Sequence, residues 1–440
     1  MTIKKQLLLY SSAFLLMFTA CEDNEAVDDD NSVVTIETPT AYTFNSRFTD
    51  GESSVSYSGQ VVRNLLINDI KGLIADNVGG VNTATINSMM ANDDADLGII
   101  AAEGMNTVQT KYHDISTSQL NDRLAAVTSY TDPGYGANAQ DMIAGWVAES
   151  EFYSVRPSGV DLGQMAQKVM WGAIAYWQGT SKYMSKIPDD DNSMSDDGDP
   201  YTAMEHHWDE SFGYFGAARD YNTGYSDDSD RKTDPYYDSN GDGSIDFKSE
   251  YNMGWSVTAA KRDIVTASTD YDFTGTIMNA YLEGRTLITN QAPMEDILVQ
   301  RDIILNTWEK VVAAVSIHYI NDTMSDLAAL ITAADSTLSP YNLPAEGDGY
   351  KYNVHWAEMR AYAHGLIYND FKVISTFDFK KYKPSLVSIE YNDYNFENLI
   401  GSDINILMEK NGFKIISKFG VTCFYAHKEN IDKIEEFMRV

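Results

Sequence analysis

Long stretches with apolar residues at helical spacing are the feature that most constrains the fold of this chain. The clearest is MEDILVQRDIILNTWEKVVAAVSIHYINDTMSDLAALI, residues 294–331. Similar periodicity occurs over 60–78 and 161–184, and shorter helical patterns cover 254–270 and 274–288. Apolar side chains at positions i, i+3, i+4 and i+7 form one stripe of an α-helix, and that stripe must be covered by another element. The sequence therefore predicts a mainly α-helical fold.

The charge balance limits the kinds of molecule that this protein can bind. The 440 residues include 32 Lys or Arg and 65 Asp or Glu, which gives a net charge of -33. Such a surface repels nucleic acid and anionic headgroups and attracts cations. Aromatic residues make up 12% of the chain, which is too much apolar material for a disordered acidic protein. We expect a folded, water-soluble body with no nucleic-acid partner.

The first 21 residues are predicted to be a lipoprotein signal peptide. Lys4 and Lys5 precede an apolar run that ends at Phe18, and Cys21 follows after two small residues. This ending resembles a bacterial lipobox, in which the cysteine is acylated and anchors the protein to a membrane. A plain signal peptide is the alternative. Residues 22–40 are acidic and predict a flexible tether. We expect an exported outer-membrane lipoprotein, on either the periplasmic or the surface-exposed face.

Residues 371–440 differ in composition from the rest of the chain. They contain 10 basic and 10 acidic residues, so residues 1–370 carry the whole net charge. The change predicts a boundary between a helical domain at 41–370 and a C-terminal fragment at 371–440. Cys423 is the only cysteine besides the anchor, so no internal disulfide is expected.

The C-terminal fragment has the pattern strand, helix, strand, strand. KPSLVSIEYNDY and LMEKNGFKIISKFGVTCFYAH resemble the carboxy-terminal end of FkbM-type methyltransferases over about the last 65 residues. The Gly-rich turn with which that family binds its methyl donor has no counterpart upstream, so we expect no active methyltransferase. Both a genuine small α/β fusion and a misassembled tail fit this pattern.

YYDSNGDGSIDFKSEYN has the spacing of a calcium-binding loop. We name residues 238–250 the acidic loop; its candidate ligands are Asp238, Asn240, Asp242, Ser244, Asp246 and Glu250. The first five occupy alternate positions, and Gly243 stands where an EF-hand-like loop turns sharply. Glu250 comes one residue later than the usual last ligand. We expect an isolated structural Ca²⁺ loop inserted in the helical domain; an acidic turn in solvent is the alternative.

The octapeptides HWDESFGY (207–214) and HWAEMRAY (355–362) share four of eight residues. We name them the first and second His-Trp frames. On a helix, the His, Glu and Tyr of each frame lie on one face. Two facing helices would bring together a second metal site, for iron or zinc, from His207, Glu210, His355 and Glu358. The alternatives are packed histidines bonded to neighbouring carboxylates, or an internal duplication.

The helical part of the chain is similar to imelysin-like lipoproteins over roughly residues 40–370. The similarity lies in the lipobox, the His-x-x-Glu motif, YSGQVVRNLLINDIKGLI and WEKVVAAVSIHYIND. It implies a two-part helical bundle and a role in iron uptake with an outer-membrane transport partner. Imelysins usually have Gly two residues before the motif His, where this chain has Glu205 and Asn353.

These patterns favour a lipid-anchored protein that binds a metal or another ligand. One alternative is a lipoprotein that binds extracellular polysaccharide or a protein and carries a structural calcium loop. The other is a metal-dependent hydrolase. The sequence contains no HExxH and no Ser-His-Asp or Cys-His arrangement, so no catalytic residue is predicted.

Overall fold

A computed structural model describes residues 35–225, 230–233, 235–265, 270–332, 348–368, 386–390, 400, 402–419 and 422–430. The described part of the chain is mainly helical, which confirms the predicted fold class. The signal peptide, Cys21, most of the tether and the composition boundary near residue 371 lie outside the described residues.

The helices follow one another along the chain. They are α1 Ser58–Ala75, α2 Thr83–Ala91, α3 Asn121–Ala125, α4 Ala139–Glu149, α5 Leu162–Met170, α6 Ala203–Phe215, α7 Tyr221–Gly224, α8 Asp230–Thr233, α9 Trp255–Ala260, α10 Phe273–Thr289, α11 Met294–Thr332, α12 Asp348–His364 and α13 Asp403–Lys410. Helix α11 packs against α10 and α12, and α12 packs against α5. Helix α6 packs against α1 and α10.

Helix α5 continues without a break into wider turns. These are π-helical over Trp171–Tyr176 and Gln178–Met184, so we call the whole element the 162–184 helix. Its first half contacts α12 and its last turns contact α6. Gly179 lies against the ring of Trp308, where an added Cβ would come within 2.8 Å of two ring atoms. A glycine is therefore required there for the two helices to approach.

Helix α6, which carries the first His-Trp frame, has defined ends. The Thr202 hydroxyl accepts a hydrogen bond from the Glu205 N–H at 3.2 Å, and the Glu205 carboxylate accepts one from the Thr202 N–H at 3.0 Å. This reciprocal capping box satisfies two N–H groups at the start of the helix. Gly216 ends the helix with a φ of 80°. The caps fix the register in which the frame faces its neighbours.

The core beside this helix is aromatic. The rings of Trp255 and Trp308 lie 6.4 Å apart, centroid to centroid. Tyr176 and Phe215 pack edge-on against Trp308, at 5.8 Å and 5.4 Å. Trp208 of the first frame is also fully buried. Truncating one such tryptophan to alanine typically costs about 3–5 kcal/mol of unfolding free energy.

The helical prediction for residues 254–270 was wrong for residues 261–265 and 270, and residues 266–269 lie outside the described part of the chain. The chain instead forms a two-stranded antiparallel pair, β1 Ile264–Val265 with β2 Asp270–Tyr271. The carboxylate of Asp263 accepts hydrogen bonds from the N–H groups of Phe273 and Thr274, at 2.7 Å and 3.2 Å. This side chain turns the backbone and caps the start of α10, because a carboxylate at that place satisfies free helical N–H groups.

Three more strands lie in the C-terminal part of the chain. They are β3 Leu386–Glu390, β4 Phe413–Phe419 and β5 Thr422–His427. Strand β5 lies between β3 and β4, and both pairings are antiparallel. Helix α13 precedes β4 and is followed by Gly412, whose φ is 89°.

Candidate functional site

The acidic loop is held in a succession of tight turns by its own carboxylates. Asp238 accepts hydrogen bonds from the N–H groups of Gly241, Asp242 and Gly243, at 2.7 Å, 3.1 Å and 2.8 Å. Gly241 and Gly243 have φ values of 72° and 86°, which glycine adopts without strain. Asp242 in turn accepts from the N–H and the hydroxyl of Ser244, at 2.9 Å and 2.8 Å.

Glu250 joins the two ends of the acidic loop although it comes one residue later than the usual last ligand. Its Oε1 accepts from the N–H and the hydroxyl of Ser239, at 3.0 Å and 2.9 Å, and from the Asn240 N–H at 3.3 Å. Its Oε2 accepts from the Asp246 N–H at 2.9 Å. Glu250 is only 2% exposed. A buried carboxylate therefore lies against both ends of the loop.

The acidic loop is fastened to the segment that precedes the 3₁₀ turn Tyr112–Asp114. The Ile245 N–H donates to the Asn106 carbonyl at 2.9 Å, and the Val108 N–H donates to the Ile245 carbonyl at 3.0 Å. The side-chain amide of Gln109 donates to Asp246 Oδ1 at 2.9 Å. The shape of the loop is thus coupled to a segment more than a hundred residues away in the chain.

The chemistry of the acidic loop fits Ca²⁺. Its oxygen-bearing groups are the ligands that this hard cation prefers. Each carboxylate oxygen has two lone pairs, so an oxygen that accepts an N–H bond can still coordinate a cation. Among the described residues, no three His, Cys, Asp or Glu side chains are already gathered for metal binding. Ion binding would therefore require Asp238, Asp242 and Glu250 to turn toward one another.

In the first His-Trp frame, His207 is bonded on both ring nitrogens. Its Nδ1 lies 2.7 Å from Asp190 Oδ2, and its Nε2 lies 2.8 Å from Lys186 Nζ. A carboxylate can only accept, so Nδ1 carries the proton and Nε2 accepts from the ammonium group. The Tyr183 ring stacks on His207 at 5.7 Å and on Tyr214 at 6.1 Å.

Glu210 of the same frame accepts a hydrogen bond from the Gln60 side-chain amide at 2.8 Å. Burial, followed by the charges of Tyr214 and Glu210 and a hydrogen bond with Glu210, raises the pKa of Tyr183. Trp208 points into the core, where its N–H donates to the Tyr281 carbonyl at 3.0 Å. The neighbouring His206 lies 3.9 Å from Glu210 and stacks on Tyr201.

The second His-Trp frame has the same arrangement. Nδ1 of His355 lies 2.7 Å from Asp326 Oδ2. The Tyr319 ring lies 5.8 Å from His355 and stacks on Tyr362 at 5.7 Å. Burial, followed by the charge of Glu358 and a hydrogen bond with it, raises the pKa of Tyr319. Each frame therefore joins its His, Glu and final Tyr through one tyrosine on a neighbouring helix.

The partners of the two frames also match in sequence spacing. Asp190 comes seven residues after Tyr183, and Asp326 comes seven residues after Tyr319. A shared motif and a shared set of partner positions favour an internal duplication, which was one of the alternatives for the repeated octapeptide.

Among the described residues, the four candidate ligands of the two frames are not gathered into one cluster. The last turns of the 162–184 helix contact the first frame, whereas Lys168, near its start, pairs with Glu358 at 3.3 Å. Lys168 and Tyr183 are fifteen residues apart, which corresponds to roughly 20 Å along a helix. The two frames contact opposite ends of this helix, and the imidazoles of His207 and His355 have separate carboxylate partners, Asp190 and Asp326.

Sequence reasoning missed a buried ion triad behind the first frame. Arg285 donates to Asp209 at 3.0 Å and to Glu205 at 2.9 Å, and all three side chains are fully buried. Arg285 also donates to the Ser54 hydroxyl at 2.8 Å, and the Tyr42 hydroxyl donates to Asp209 at 2.7 Å. The acidic spacing on α6 was visible in the sequence, but its cation comes from α10 and could not be paired with it.

The fold and these sites define a mainly helical domain with an acidic loop and a duplicated His-Trp frame. The family model described as Domain of unknown function (DUF4856) matches residues 39–358. The match covers more than half of the chain, and the chain belongs to this family. No curated protein and no solved structure matches the chain. Within the described part, no helix has both the length and the apolar character needed to cross a membrane.

Proposed function

We propose that this protein is an exported, lipid-tethered binding protein of the cell envelope, and that its acidic loop binds Ca²⁺ as a structural ion. The tether is the lipidated Cys21, and the helical domain presents the binding surface. The observation that carries the calcium proposal is the position of Glu250. It is buried and touches both ends of a loop that has oxygen-bearing residues at alternate positions.

The ion would be held by Asp238, Asn240, Asp242, the Ser244 carbonyl, Asp246 and Glu250. Bound Ca²⁺ supplies positive charge that offsets the repulsion among these carboxylates. Because Ile245 pairs with Asn106 and Val108, the ion would also hold the 106–109 segment in place. We expect structural stabilisation without switching, since the loop lacks a paired partner loop.

The calcium proposal is tested by thermal melting and calorimetric titration of the purified chain from residue 22. With a Kd on the order of 10⁻⁴ M, as for extracellular calcium modules, millimolar Ca²⁺ fills the site. At one hundred times Kd, the ion adds about 2.7 kcal/mol to the free energy of unfolding. Mg²⁺ at the same concentration should stabilise the chain much less, because it demands a smaller octahedral site.

Asp242→Asn should abolish the calcium effect. Asp191→Asn is a matched control, because Asp191 is also an exposed carboxylate that accepts from the N–H and hydroxyl of a serine two residues later, both at 2.7 Å. The control should keep the full response. Equal melting temperatures in Ca²⁺ and in chelator for the unmodified chain would refute the calcium proposal.

The lipid tether is tested separately by expressing the full chain with labelled fatty acid. We expect label on the unmodified protein and none on Cys21→Ser, which should be released in soluble form. Label retained on Cys21→Ser would contradict the anchor.

Iron or zinc uptake, which the imelysin-like resemblance implies, has less support. Nε2 of His207 already accepts from Lys186, so a metal would have to displace that ammonium group. Nε2 of His355 has no hydrogen-bond partner among the described residues and is the better candidate ligand. Metal analysis of His207→Ala and His355→Ala decides this: content that falls only in His355→Ala supports a site in the second frame, and unchanged content in both excludes the four-residue site.

A further inference from the structure

A cluster of cations surrounds Glu210 on the first His-Trp frame. Four basic side chains lie close enough to one another, or to the frame, to interact: Arg63, Arg123, Lys182 and Lys186. The carboxylates of this face are Glu210 and Asp190. A local excess of positive charge is unexpected on a chain with a net charge of -33. We name this region the Glu210 face.

The more buried cations donate their hydrogen bonds to neutral acceptors. Arg63, only 3% exposed, donates to the Gln119 carbonyl at 2.9 Å, to the Gly59 carbonyl at 3.3 Å and to the Tyr214 hydroxyl at 3.2 Å. Lys186 donates to His207. Neither forms an ion pair with a carboxylate of the described residues. The charge of Arg63 is therefore buried without a direct counter-charge.

The other two cations have even fewer partners. Arg123 Nε is buried and has no hydrogen-bond partner. Lys182 lies over the ring of Tyr183 at 5.1 Å. Neither residue has an Asp or Glu within ion-pair distance in the described part of the chain. A buried donor without an acceptor costs about 1–3 kcal/mol, and native structures rarely tolerate that cost without a bound water or ion.

The electrostatics agree with this geometry. Burial, and then the charge of Arg123, lower the pKa of Lys182 to about 8. The charge of Arg123 thus makes protonation of Lys182 less favourable. An anion bound between Arg123 and Lys182 would offset both the desolvation and the repulsion.

We infer that the Glu210 face binds a small hydroxylated carboxylate, of the class of uronic acids, between Arg123 and Lys182. A guanidinium group matches a carboxylate in shape and charge. Glu210, Gln60 and Tyr183 surround the cations with groups that bond to hydroxyls. A dianionic phosphate fits less well, because its second negative charge is repelled by Glu210 and it offers fewer hydroxyl groups than a uronic acid. This inference rests on the proposed function only in treating the domain as a binding protein.

The test titrates the purified chain from residue 22 with D-glucuronate, D-glucose and inorganic phosphate, each with and without chelator. We expect a millimolar Kd for glucuronate, and at least tenfold weaker binding of glucose and of phosphate. Equal binding of glucose and glucuronate, tighter binding of phosphate, or no binding of glucuronate would overturn the inference. Glucuronate binding in a chain without a calcium response would reject the calcium proposal alone.

Arg123→Gln and Lys182→Met should each weaken glucuronate binding at least fivefold. Lys310→Met is the matched control, because Lys310 also lies over a tyrosine ring, that of Tyr271, at 5.5 Å. The control should bind as the unmodified chain does. Lys182→Arg keeps the charge and should retain most of the affinity, which separates loss of charge from misfolding. Full affinity in Lys182→Met would refute the site.

Discussion

The Glu210 face and its counterpart around Glu358 are built from the same parts but arrange their charges differently. In the second frame, Glu358 pairs with Lys168, and Asp322 lies 3.1 Å from His318. In the first frame, Glu210 accepts a hydrogen bond from the Gln60 amide and forms no ion pair with a lysine or arginine of the described residues. The two frames share the aromatic and His-Asp geometry but differ in their ion pairs. The second frame is closed by a glutamate–lysine pair that the first lacks, although each frame has one arginine whose Nε is buried without a hydrogen-bond partner in the described part of the chain, Arg123 beside the first and Arg262 beside the second.

The two frames also differ on their inner sides. Asp209 of the first frame pairs with Arg285 in the core, whereas the matching position of the second frame is Ala357, which is fully buried. The first frame thus contacts the core through an ion pair, whereas the second frame contacts it through the close packing of a small apolar side chain. Each prediction below tests one of these differences or one shared feature.

The largest effect is expected for Arg285→Met. It leaves Asp209 charged in the core without a cation, and it leaves Glu205 with only Arg47, whose Nε lies 3.4 Å from Oε1. The change should cost about 3–5 kcal/mol of unfolding free energy. Denaturant unfolding measures this. Arg360→Met is the comparison from the second frame. Arg360 pairs with Asp132 but is 21% exposed, and His364 also bonds that carboxylate. Its cost should be clearly smaller, and an equal cost would contradict the difference between the inner sides.

Lys168→Met and Lys182→Met test the lysines beside Glu358 and Glu210. We expect Lys168→Met to be the more destabilising of the two. Lys168 is 5% exposed and its removal leaves Glu358 without a counter-charge, so we expect a loss of about 2 kcal/mol. Lys182 has no ion pair to lose, and its removal should change stability by less than about 0.5 kcal/mol. Denaturant unfolding of both variants provides the measurement. A larger loss of unfolding free energy for Lys182→Met would show that Lys182 forms a stabilising ion pair in the first frame.

Tyr183→Phe and Tyr319→Phe test what the frames share. Each removes a hydroxyl that bonds to the frame glutamate and should cost about 1.5 kcal/mol, the low end of the range for a hydrogen bond to a charged partner. The two losses should be equal within error. Tyr237→Phe, at an exposed ring, should cost less than either. A loss in one frame more than twice that in the other would break the structural equivalence.

The smallest effect concerns pH. Because the pKa of Lys182 is lowered to about 8, the lysine loses its proton as the pH rises through 8. Glucuronate affinity should therefore be constant from pH 6 to 7 and fall several-fold by pH 9, because the bound carboxylate loses the charge of Lys182. Lys182→Arg should abolish this fall. A pH profile in Lys182→Arg identical to that of the unmodified chain would assign the titration to another group.

The sequence predicted the helices well because their apolar periodicity is long and strong. The helix over 294–331 and that over 161–184 each differ from the structure by a single residue. The prediction failed at 261–265 and at 270, where the chain forms a turn and two short strands. The next helix is capped by Asp272 and also by Asp263, which accepts hydrogen bonds from its first two N–H groups. Such a side-chain cap depends on tertiary position and leaves no periodic signal.

Site prediction was more uneven. The repeated octapeptide identified real structural units, and its Nδ1–carboxylate bonds match the packed-histidine alternative. It could not show that the two units contact opposite ends of one helix, because no pattern in a single sequence encodes which helices meet. The cations of the Glu210 face come from three separate segments, around residues 63, 123 and 182–186, and for the same reason were not recognised as a group.

The wide turns of the 162–184 helix have a consequence for length variation. A π-helical turn bonds residue i to i+5, so it holds one more residue than an α-helical turn. Deleting one residue between Trp171 and Tyr183 would let one wide turn close to α geometry, and the residues after it would keep their angular position about the helix axis.

Tyr183 would then stay beside Glu210, and Lys168, which precedes the wide turns, would stay beside Glu358. The wide turns therefore allow the loss of one codon that would misalign the two ends of a regular α-helix. Length variation in this stretch is compatible with both His-Trp frames.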